Sequence, residues 1–416
     1  MSTQMKHVKK KHKKTPSQAL PPDPFSREDM FRRAVAYLNT GRVHEAAELL
    51  ERIIEVEPEN SQAHYNLGLA RYYQESFAEA EACFLQAVRI DPANADAHYN
   101  LGLLCNQTNR QAEAAECYLA VLELNPGEAD AHFNLGDVLK DLGMMDDAIS
   151  CFQKALAINP RYASAYCNLG VVLHMQGREE EAIAAYNKAI NLGDDSPANL
   201  HILNALTGVQ TESPPEQYVT NLFDGYAQRF EKSLAAMEYE IPVLLRRALD
   251  TIPGPKHFAR AVDLGCGTGL SGRSIREITG HLTGIDLSAE MLAIAREKGI
   301  YDTLHQEELV RFLVRTVMFF DLFLLTDVCI YLGSLDPLFT AIRQRSRPGT
   351  LVLFSIELCR QADFVLRTSG RYAQSRAYIE RLAAKNDMLL DYRQAAGIRK
   401  EKGKWIDGEI YILRRV

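Results

Sequence analysis

The residues with the clearest chemical potential are glycines and carboxylates in the second half of the chain. Residues 263–269 read DLGCGTG, after a short apolar run and before a helical pattern. Glycines at this spacing let the backbone turn tightly and approach a bound nucleoside. Asp286 ends the next apolar run, where a carboxylate can accept hydrogen bonds from both hydroxyls of a ribose. The two features together predict a nucleoside site.

The type of motif favours a cationic ligand over a phosphate-bearing one. The spacing is GxGxG, whereas dinucleotide enzymes cradle pyrophosphate with GxGxxG. S-adenosyl-L-methionine has no phosphate and carries an ammonium group, and Asp263 before the glycines suits a cation better than an anion. Two alternatives stay open: Asp263 could belong to an ordinary turn, and Asp286 could be a helix-start carboxylate without a ligand.

The elements that position these residues follow an alternating pattern after Pro253. Short apolar runs alternate with helical stretches, which is typical of a parallel sheet with helices on both faces. We predict strands over 261–264, 282–286, 320–326 and 350–356, and helices near 268–279, 288–298 and 335–346. The end of the chain, 388–416, predicts two more strands joined at a polar turn over 402–404.

The first half of the chain repeats itself with a period of 34 residues, which is the tetratricopeptide period. Proline marks the repeat at Pro58, Pro92, Pro126 and Pro160, and it ends the second helix of each hairpin. A Leu-Gly pair recurs at 67–68, 101–102, 135–136 and 169–170, and an alanine recurs at 46, 80, 114, 148 and 182. We expect glycine to let two helices approach, and the aromatic residues at 84, 118, 152 and 186 to fill gaps.

The repeats predict the domain organisation. Five repeats are countable; the first, 27–60, is degenerate, as expected of an end repeat, and a capping helix is predicted over 196–208. We therefore predict a basic tail over 1–24, repeats with their cap over 25–208, a linker over 209–218 and a catalytic domain over 219–416. The lysine-rich tail is predicted to be disordered, either as a solubilising segment or as a weak contact for phosphate or an acidic partner.

These motifs in this order resemble the family of tetratricopeptide-repeat-containing class I S-adenosylmethionine-dependent methyltransferases. The resemblance rests on the repeats and on FDGYA, DLGCGTG, GIDLS, FDL, TDVCIYLG and SRPG. It implies a two-part fold: an all-α tetratricopeptide solenoid, then an α/β Rossmann-like methyltransferase domain with an antiparallel last strand. It also implies S-adenosyl-L-methionine as the cofactor.

The resemblance carries further site residues. An acidic group at Glu308 is expected at the adenine amine, Asp327 and Tyr331 follow the strand that faces the methyl group, and residues 221–230 are expected either to close over the cofactor or to be an inert wedge. The predicted cofactor-binding residues are Asp263, Gly265, Cys266, Gly267, Gly269, Asp286, Leu287, Met291, Glu308, Leu309, Asp327 and Tyr226. The predicted acceptor-pocket residues are Tyr331, Arg371, Tyr372 and Tyr378.

Some positions are left without a role. The family pattern has His where Gln374 stands, so we expect no acid–base role there. We assign no catalytic base, because the sequence spells out no acid–base pair, and we expect no metal, since no His/Cys spacing fits one. Plain packing or a solvated helix face is the alternative for the tyrosines and for Arg371.

One asparagine precedes each Leu-Gly pair, and these residues are expected to face the concave groove of the repeats. They are Asn66, Asn100, Asn134 and Asn168. An amide carries both a donor and an acceptor, so such a ladder can bind the backbone of an extended peptide. It is similar to the asparagine ladder of O-linked N-acetylglucosamine transferases. The alternative is a common, solvated consensus position.

Composition bounds the partners. The net charge of −7 argues against general nucleic-acid binding, except weakly through the basic tail. No apolar run is long enough for a membrane helix, and eight cysteines without CxxC pairs indicate a reducing compartment, so we predict a cytoplasmic protein.

Three functions stay open: a protein or peptide methyltransferase, a small-molecule methyltransferase with a scaffolding solenoid, and an inactive cofactor-sensing scaffold. The intact glycine and aspartate motifs disfavour the third.

Overall fold

The computed structural model describes residues 26–401 and 403–416, so the predicted basic tail and Lys402 of the predicted turn lie outside the described residues. The chain forms two compact units. The first ends at Pro160, and the second runs from Arg161 to Val416.

The first unit is a row of antiparallel helix pairs. Its helices are α1 (Arg27–Asn39), α2 (Val43–Val56), α3 (Ser61–Tyr73), α4 (Phe77–Ile90), α5 (Ala95–Gln107), α6 (Gln111–Leu124), α7 (Ala129–Asp141) and α8 (Met145–Ile158). Asn60 and Asn94 cap the first turns of α3 and α5 through their side-chain oxygens. Each repeat proline comes two residues after the second helix of a pair ends, where proline cannot continue a helix. The tetratricopeptide expectation is confirmed for this part.

The repeat glycines make room for an aromatic ring of the same hairpin. A Cβ added to Gly136 in α7 would lie 2.8 Å from a ring carbon of Phe152 in α8, and one on Gly68 would lie 2.6 Å from Phe84. Both rings are fully buried. The glycine and the aromatic residue therefore act as one packing pair within a hairpin. Phe84 also belongs to one apolar cluster with Leu101 of the next hairpin, as expected of a ring that fills the gap between neighbours.

The second unit begins with three more helices, α9 (Ala163–Met175), α10 (Glu179–Asn191) and α11 (Pro197–Thr207). The expected capping helix is present as α11: Ser196 accepts a hydrogen bond from the backbone of Asn199, and Gly208 ends the helix with φ +77°. The fifth repeat pair and α11 belong to the same compact unit as the rest of the C-terminal half. The domain boundary at 208 stays a prediction.

A seven-stranded sheet forms the centre of the second unit, in the order β3-β2-β1-β4-β5-β9-β8. Its strands are β1 (Phe258–Leu264), β2 (Thr279–Asp286), β3 (Thr303–Gln306), β4 (Leu322–Leu325), β5 (Leu351–Glu357), β8 (Met388–Glu401) and β9 (Lys404–Arg415). The first five strands are parallel, and β9 pairs antiparallel with both β5 and β8. The expected α/β fold with an antiparallel last strand is confirmed.

Helices cover both faces of this sheet. They are α12 (Glu216–Asp224), α13 (Phe230–Ala236), α14 (Ile241–Thr251), α15 (Leu270–Ile275), α16 (Ala289–Glu297), α17 (Leu309–Arg315), α18 (Asp336–Gln344) and α19 (Arg376–Lys385). The four residues of β4 show why two layers form: Leu322 and Leu324 join one apolar core, while Phe323 and Leu325 join the core on the opposite face. All four are fully buried.

A small antiparallel hairpin that the sequence did not predict lies outside the main sheet. Its strands are β6 (Phe364–Leu366) and β7 (Tyr372–Gln374). The segment predicted as a linker packs on it: Leu366 N donates to Gln210 Oε1 at 2.6 Å, and the hydroxyls of Thr211 and Tyr372 are 2.6 Å apart. The backbone carbonyl of Glu212 also accepts from two residues that follow β4. This segment is therefore part of the packed structure.

The packing pair of glycine and aromatic residue gives a stability prediction. Gly136→Ala should lower the free energy of unfolding by about 1–3 kcal/mol, because the new methyl group overlaps the ring of Phe152. Gly127→Ala is the matched control, since its Cβ would meet its neighbour at an ordinary 3.5 Å. Urea unfolding of both variants measures the difference. Equal stability of the two variants would contradict this packing, and Phe152→Leu should restore part of the loss in Gly136→Ala.

Candidate functional site

A cavity of about 540 Å³ opens at the carboxyl ends of β1, β2 and β4. This edge of an open parallel sheet is where ligands bind in α/β folds. The crevice lies beside β1, where the order in which successive strands join the sheet reverses. The predicted site residues that line it are Gly265, Cys266, Gly267, Asp286, Leu287, Glu308, Leu309, Asp327, Tyr226, Tyr331 and Arg371. The predicted residues that do not line it are Asp263, Gly269, Met291, Tyr372 and Tyr378.

The glycine loop needs glycine for conformation and for space. Gly265, Gly267 and Gly269 have φ of +75°, +50° and +94°, a region that other residues rarely adopt. A Cβ on Gly265 would also lie 2.4 Å from the side chain of Val328. The loop is tied to β2 by the backbone N–H groups of Gly265 and Cys266, which donate to Ile285 O at 2.8 and 2.9 Å. The loop therefore presents bare backbone to the cavity.

Asp286 lies at the end of β2, as predicted, where it lines the cavity and bonds to the glycine loop. Its Oδ2 accepts from Gly267 N at 2.8 Å, and its Oδ1 accepts from Ser288 N at 2.9 Å. The side chain is 9% exposed, and burial raises the pKa of this carboxyl. Ser288 caps α16 through a bond from Met291 N. Met291 itself is fully buried behind the cavity, so it packs against the site without lining it.

Asp263 lies under the loop and not in the cavity wall. It is fully buried, and its Oδ2 accepts from the hydroxyl of Tyr301 at 2.7 Å, whereas its Oδ1 has no hydrogen-bond partner among the described residues. Burial raises the pKa of this carboxyl to about 7. Tyr301 also packs against Gly269 and Gly272, which leaves no space for side chains there. Asp263 thus lies beneath the loop, and its predicted contact with the cofactor stays a prediction.

Glu308 has a structural task at the cavity edge. Its carboxylate accepts from the backbone N–H groups of Val310 and Arg311 at 2.9 and 2.7 Å, which caps helix α17. Glu308 still lines the cavity with Leu309, which is half-buried beside it. The sequence predicted the place of this carboxylate but not its helix-capping role.

The segment from α12 to α13 forms one wall of the cavity. Residues 221–230 do not form one continuous helix, because α12 ends at Asp224 and a short 3-10 turn precedes α13. Two polar contacts fix this segment: Ser288 Oγ donates to Asp224 at 2.5 Å, and Thr268 Oγ1 donates to Glu231 at 2.6 Å. Lys298 pairs with the same Glu231 carboxylate. The wall is thus attached directly to the glycine loop and to α16.

Aromatic side chains give this wall its apolar character. The ring of Phe223 lies 5.1 Å from that of Tyr331 and 6.2 Å from that of Phe230, and Tyr226 lies 5.8 Å from Phe230. These are the edge-to-face distances of interacting rings. All four rings line the cavity, and a Cβ on Gly267 would lie 3.7 Å from the ring of Phe230. The rings therefore give the wall beside the glycine loop an apolar surface.

Asp327 follows β4 in an unusual backbone conformation, with φ +55°. Its backbone N–H donates to Ser355 Oγ at 3.0 Å, and that hydroxyl lies 3.3 Å from Asp327 Oδ1. Burial raises the pKa of the carboxyl to about 6, and the guanidinium of Arg399 opposes this shift. Strain at a residue of this type marks functional positions in folded proteins.

Arg399 is the site residue that sequence reasoning missed. Its side chain is 3% exposed, with Nη2 paired to Glu357 and Nε donating to Glu401 at 2.8 Å. Its Nη1 has no hydrogen-bond partner among the described residues and lies 3.7 Å from Asp327 Oδ2. A register shift between Gly397 and Lys400 explains its direction, because a bulge turns consecutive side chains inward. No local pattern in the sequence marks that bulge.

The predicted acceptor residues divide into two groups. Arg371 lines the cavity and pairs with Glu401, the carboxylate that also accepts from Arg399. Tyr372 is fully buried with its hydroxyl on Thr211, and the Tyr378 hydroxyl lies 2.9 Å from Asp336. Both tyrosines therefore pack away from the cavity, which corrects the expectation for them.

Gln374 holds the turn that carries Tyr331. It is fully buried, and its Nε2 donates to the carbonyls of Cys329 and Leu332 at 2.9 and 2.7 Å.

Within residues 26–401 and 403–416, no group of three or more His, Cys, Asp or Glu side chains is arranged to hold a metal ion. Over the same residues, no helix is long and apolar enough to cross a membrane.

The comparisons with known families divide the chain in two. The family described as the cilia and flagella-associated protein 70 C-terminal domain, a tetratricopeptide-type domain, matches residues 22–206. The methyltransferase domain family matches residues 262–352, which contain the glycine loop, Asp286 and Asp327. Sequence comparison alone therefore identifies both the tetratricopeptide region and the methyltransferase region.

Curated relatives match the methyltransferase half. Methyltransferase-like protein 27 of Homo sapiens is 35% identical over 87 residues, covering 20% of this chain and 35% of that protein. Demethylmenaquinone methyltransferase of Tropheryma whipplei (strain Twist) is 29% identical over 100 residues, covering 24% and 40%. The 18S rRNA (guanine-N(7))-methyltransferase RID2 of Arabidopsis thaliana is 33% identical over 90 residues, covering 21% and 30%. The chain thus spans about a third of the length of these relatives.

Solved structures match the repeat half. YrrB, described as a tetratricopeptide protein with an unusual peptide-binding site, is 26% identical with a TM-score of 0.40, covering 42% of this chain and 91% of that one. MamA is 24% identical with a TM-score of 0.37, covering 39% and 94%. The chain therefore combines a region that matches a tetratricopeptide-type domain model with a region that matches a methyltransferase domain model.

Proposed function

We propose that the chain is an S-adenosyl-L-methionine-dependent methyltransferase. The observation that carries the proposal is the pairing of a positive-φ glycine loop with Asp286, which accepts from Gly267 N at 2.8 Å at the edge of the cavity. A Cβ would fill this cradle at Gly265. A backbone surface beside a carboxylate suits a nucleoside with vicinal hydroxyls and no phosphate.

The residues of the chain have separate tasks in this proposal. Asp286 accepts from the ribose hydroxyls, Leu287 and Leu309 flank the adenine, and the glycine loop holds the amino-acid tail. The cofactor supplies a methyl group already activated by a positively charged sulfur. Phe223, Tyr226 and the rings beside them line the cavity and are proposed to exclude water from the reacting groups. Exclusion of water strengthens the interactions of nearby charges, and the enclosed site holds the reactants in position.

The fully buried Asp263 favours a positive charge on the amino-acid tail of the cofactor without direct contact. Its Oδ1 has no hydrogen-bond partner in the part of the chain that the structure describes, and the pKa of about 7 leaves the carboxyl partly neutral near neutral pH. A positive charge brought above the loop favours its ionised form and lowers that pKa. We therefore propose for Asp263 a supporting electrostatic role beneath the loop, and we leave Met291, Tyr372 and Tyr378 outside the set of binding residues.

For the acceptor, we propose a protein or peptide that the repeats bind; the second candidate is a small molecule, with the repeats serving as a scaffold. The asparagine ladder favours the first. Asn100 Nδ2 donates to the carbonyl of Asp96 at 2.9 Å and Asn134 Nδ2 donates to the Tyr99 hydroxyl at 2.8 Å, so their orientations are fixed. Their side-chain oxygens are the groups proposed to accept from peptide N–H groups. The matched relatives include enzymes named for a quinone and for an RNA, so they do not choose an acceptor.

Asp286→Asn should weaken binding of S-adenosyl-L-homocysteine by roughly 100-fold, because about 1.5–3 kcal/mol is lost for each hydrogen bond to a charged acceptor. The amide would also place an N–H₂ group against the donor of Gly267 or Ser288. Isothermal titration calorimetry measures the affinity. Asp250→Asn, at the exposed end of α14, is the control and should bind as the wild-type chain does. Unchanged affinity of Asp286→Asn would contradict the proposed cradle.

The class of acceptor is tested by the fate of a labelled methyl group. Wild-type chain and radiolabelled cofactor are incubated with lysate, and protein is then separated from extractable small molecules. We expect the label in the protein fraction, since the ladder is proposed to recruit a polypeptide. Label in the small-molecule fraction would support the scaffold alternative, and label in neither fraction would contradict the enzyme.

The ladder is tested by replacing Asn100 and Asn134 together with alanine. We expect methylation of the protein fraction to fall about tenfold through a raised apparent KM, because two hydrogen bonds of about 0.5–1.5 kcal/mol each are lost. Calorimetry with S-adenosyl-L-homocysteine is the control and should be unchanged. Methylation at the wild-type rate would remove the peptide-binding role of these residues.

A further inference from the structure

Arg399 Nη1 and Asp327 form an unassigned pair on the wall of the cavity. Both residues line the cavity, at positions that follow β4 and lie within β8. The other nitrogens of Arg399 are used on Glu357 and Glu401, so its position is fixed while Nη1 is left without a partner in the described part of the chain. A buried donor without an acceptor is costly, and it is expected where a ligand supplies the missing atom.

Asp327 Oδ2 lies 3.7 Å from Arg399 Nη1, which is too far for a direct hydrogen bond. An atom of a bound molecule placed about 2.8 Å from each would satisfy both groups at once. Asp327 Oδ1 is already turned toward Ser355 Oγ, at 3.3 Å. Oδ2 is therefore the oxygen of Asp327 that is available to a second molecule.

We propose that Asp327 takes the proton of the methyl acceptor and that Arg399 Nη1 donates to the same acceptor atom. The inference rests on the proposed methyltransferase function and names its acceptor atom. The acceptor oxygen forms a bond to the methyl carbon as the carbon–sulfur bond breaks, and that electron pair stays on sulfur. The proton of the acceptor hydroxyl moves to Asp327 Oδ2, and Asp327 later releases it to solvent.

The arrangement selects oxygen over nitrogen. A neutral amine has one lone pair, which it needs for attack on the methyl carbon, so it cannot also accept from Arg399 Nη1. A hydroxyl oxygen has two lone pairs and serves both purposes. As its proton leaves, the oxygen gains negative charge, and a fixed guanidinium at that place stabilises the charge. The acceptor is therefore a hydroxyl group, on a protein side chain or on a small molecule.

The surroundings of Asp327 suit a proton acceptor. The charged groups nearest to it are Arg399, Arg371 and Glu357, and the titratable Tyr239 and Cys329 also face it. Burial outweighs the two guanidinium groups and raises the pKa of Asp327 to about 6. Below that pH the carboxyl is protonated and cannot accept a proton, so methyl transfer should fall as the pH drops through about 6.

Asp327→Asn is the test variant, because asparagine tolerates positive φ better than other non-glycine residues do. We expect methyl transfer to the lysate acceptor to fall at least about 100-fold, which is typical of a lost general base. Affinity for S-adenosyl-L-homocysteine should change less than about threefold, since asparagine keeps the shape of the aspartate side chain and the proposed cradle is formed by Asp286 and the glycine loop. Transfer at the wild-type rate, with cofactor binding intact, would overturn the role of Asp327.

A second readout needs no acceptor. The infrared carboxyl band of Asp327, taken as wild type minus Asp327→Asn with S-adenosyl-L-homocysteine bound, is followed from about pH 3 to 8. We expect a midpoint near 6, and a midpoint at the ordinary value of 3.8 would overturn the proposal. Asp327→Gly serves the same subtraction if the asparagine variant does not fold, because glycine adopts φ +55° freely.

The acceptor atom is located by fragmentation mass spectrometry of the labelled lysate product. We expect the methyl group on oxygen, in a protein or in a small molecule; a methyl group on nitrogen or carbon would overturn the selection by Arg399. A wild-type chain that binds no S-adenosyl-L-homocysteine contradicts the proposed function itself. An Asp327→Asn chain that binds it and transfers normally contradicts only this inference.

Discussion

The hydrogen bond from Gly267 N to the carboxylate of Asp286 is the contact on which the rest of the site depends. It joins the loop after β1 to the end of β2, and two further backbone bonds to Ile285 hold the same loop. Because the strands are parallel neighbours, both ends meet at one edge of the sheet. This contact is therefore the direct link between the glycine backbone and the carboxylate at the edge of the cavity.

Two further sets of contacts build outward from that loop. Thr268 binds Glu231 of α13, so the aromatic wall is attached to the glycine loop itself. Asp327 follows β4, the neighbour of β1, and its carboxylate lies 3.7 Å from the guanidinium of Arg399 in β8. The cavity therefore combines a backbone and carboxylate surface suited to a nucleoside with a pair of fixed charges.

The sequence predicted those parts of the molecule that local chemistry determines. The glycines and Asp286 follow from backbone conformation and from strand ends, which a short segment specifies. The repeat period predicted the helix pairs, and the alternation of short apolar runs with helical stretches predicted a sheet covered on both faces. Tyr226 was also placed correctly at the cavity, although its helix is broken near Gly225.

The remaining parts depend on long-range packing, which the sequence does not display. Arg399 faces inward only because of the bulge after Gly397, and nothing in the local pattern marks it. Tyr372 and Tyr378 were predicted to lie in the acceptor pocket, yet their hydroxyls bind Thr211 and Asp336 outside the cavity. The β6–β7 hairpin was missed because its strands have three residues each.

A crystal structure of the full chain with S-adenosyl-L-homocysteine tests the central claim most directly. We expect density for the ribose against the carboxylate of Asp286, the amino-acid tail along the backbone of residues 265–267, and the sulfur on the side of Asp327 and Arg399. Crystals soaked at saturating ligand that show Phe223 and Tyr226 filling the cavity, or the nucleoside bound elsewhere, would contradict the account.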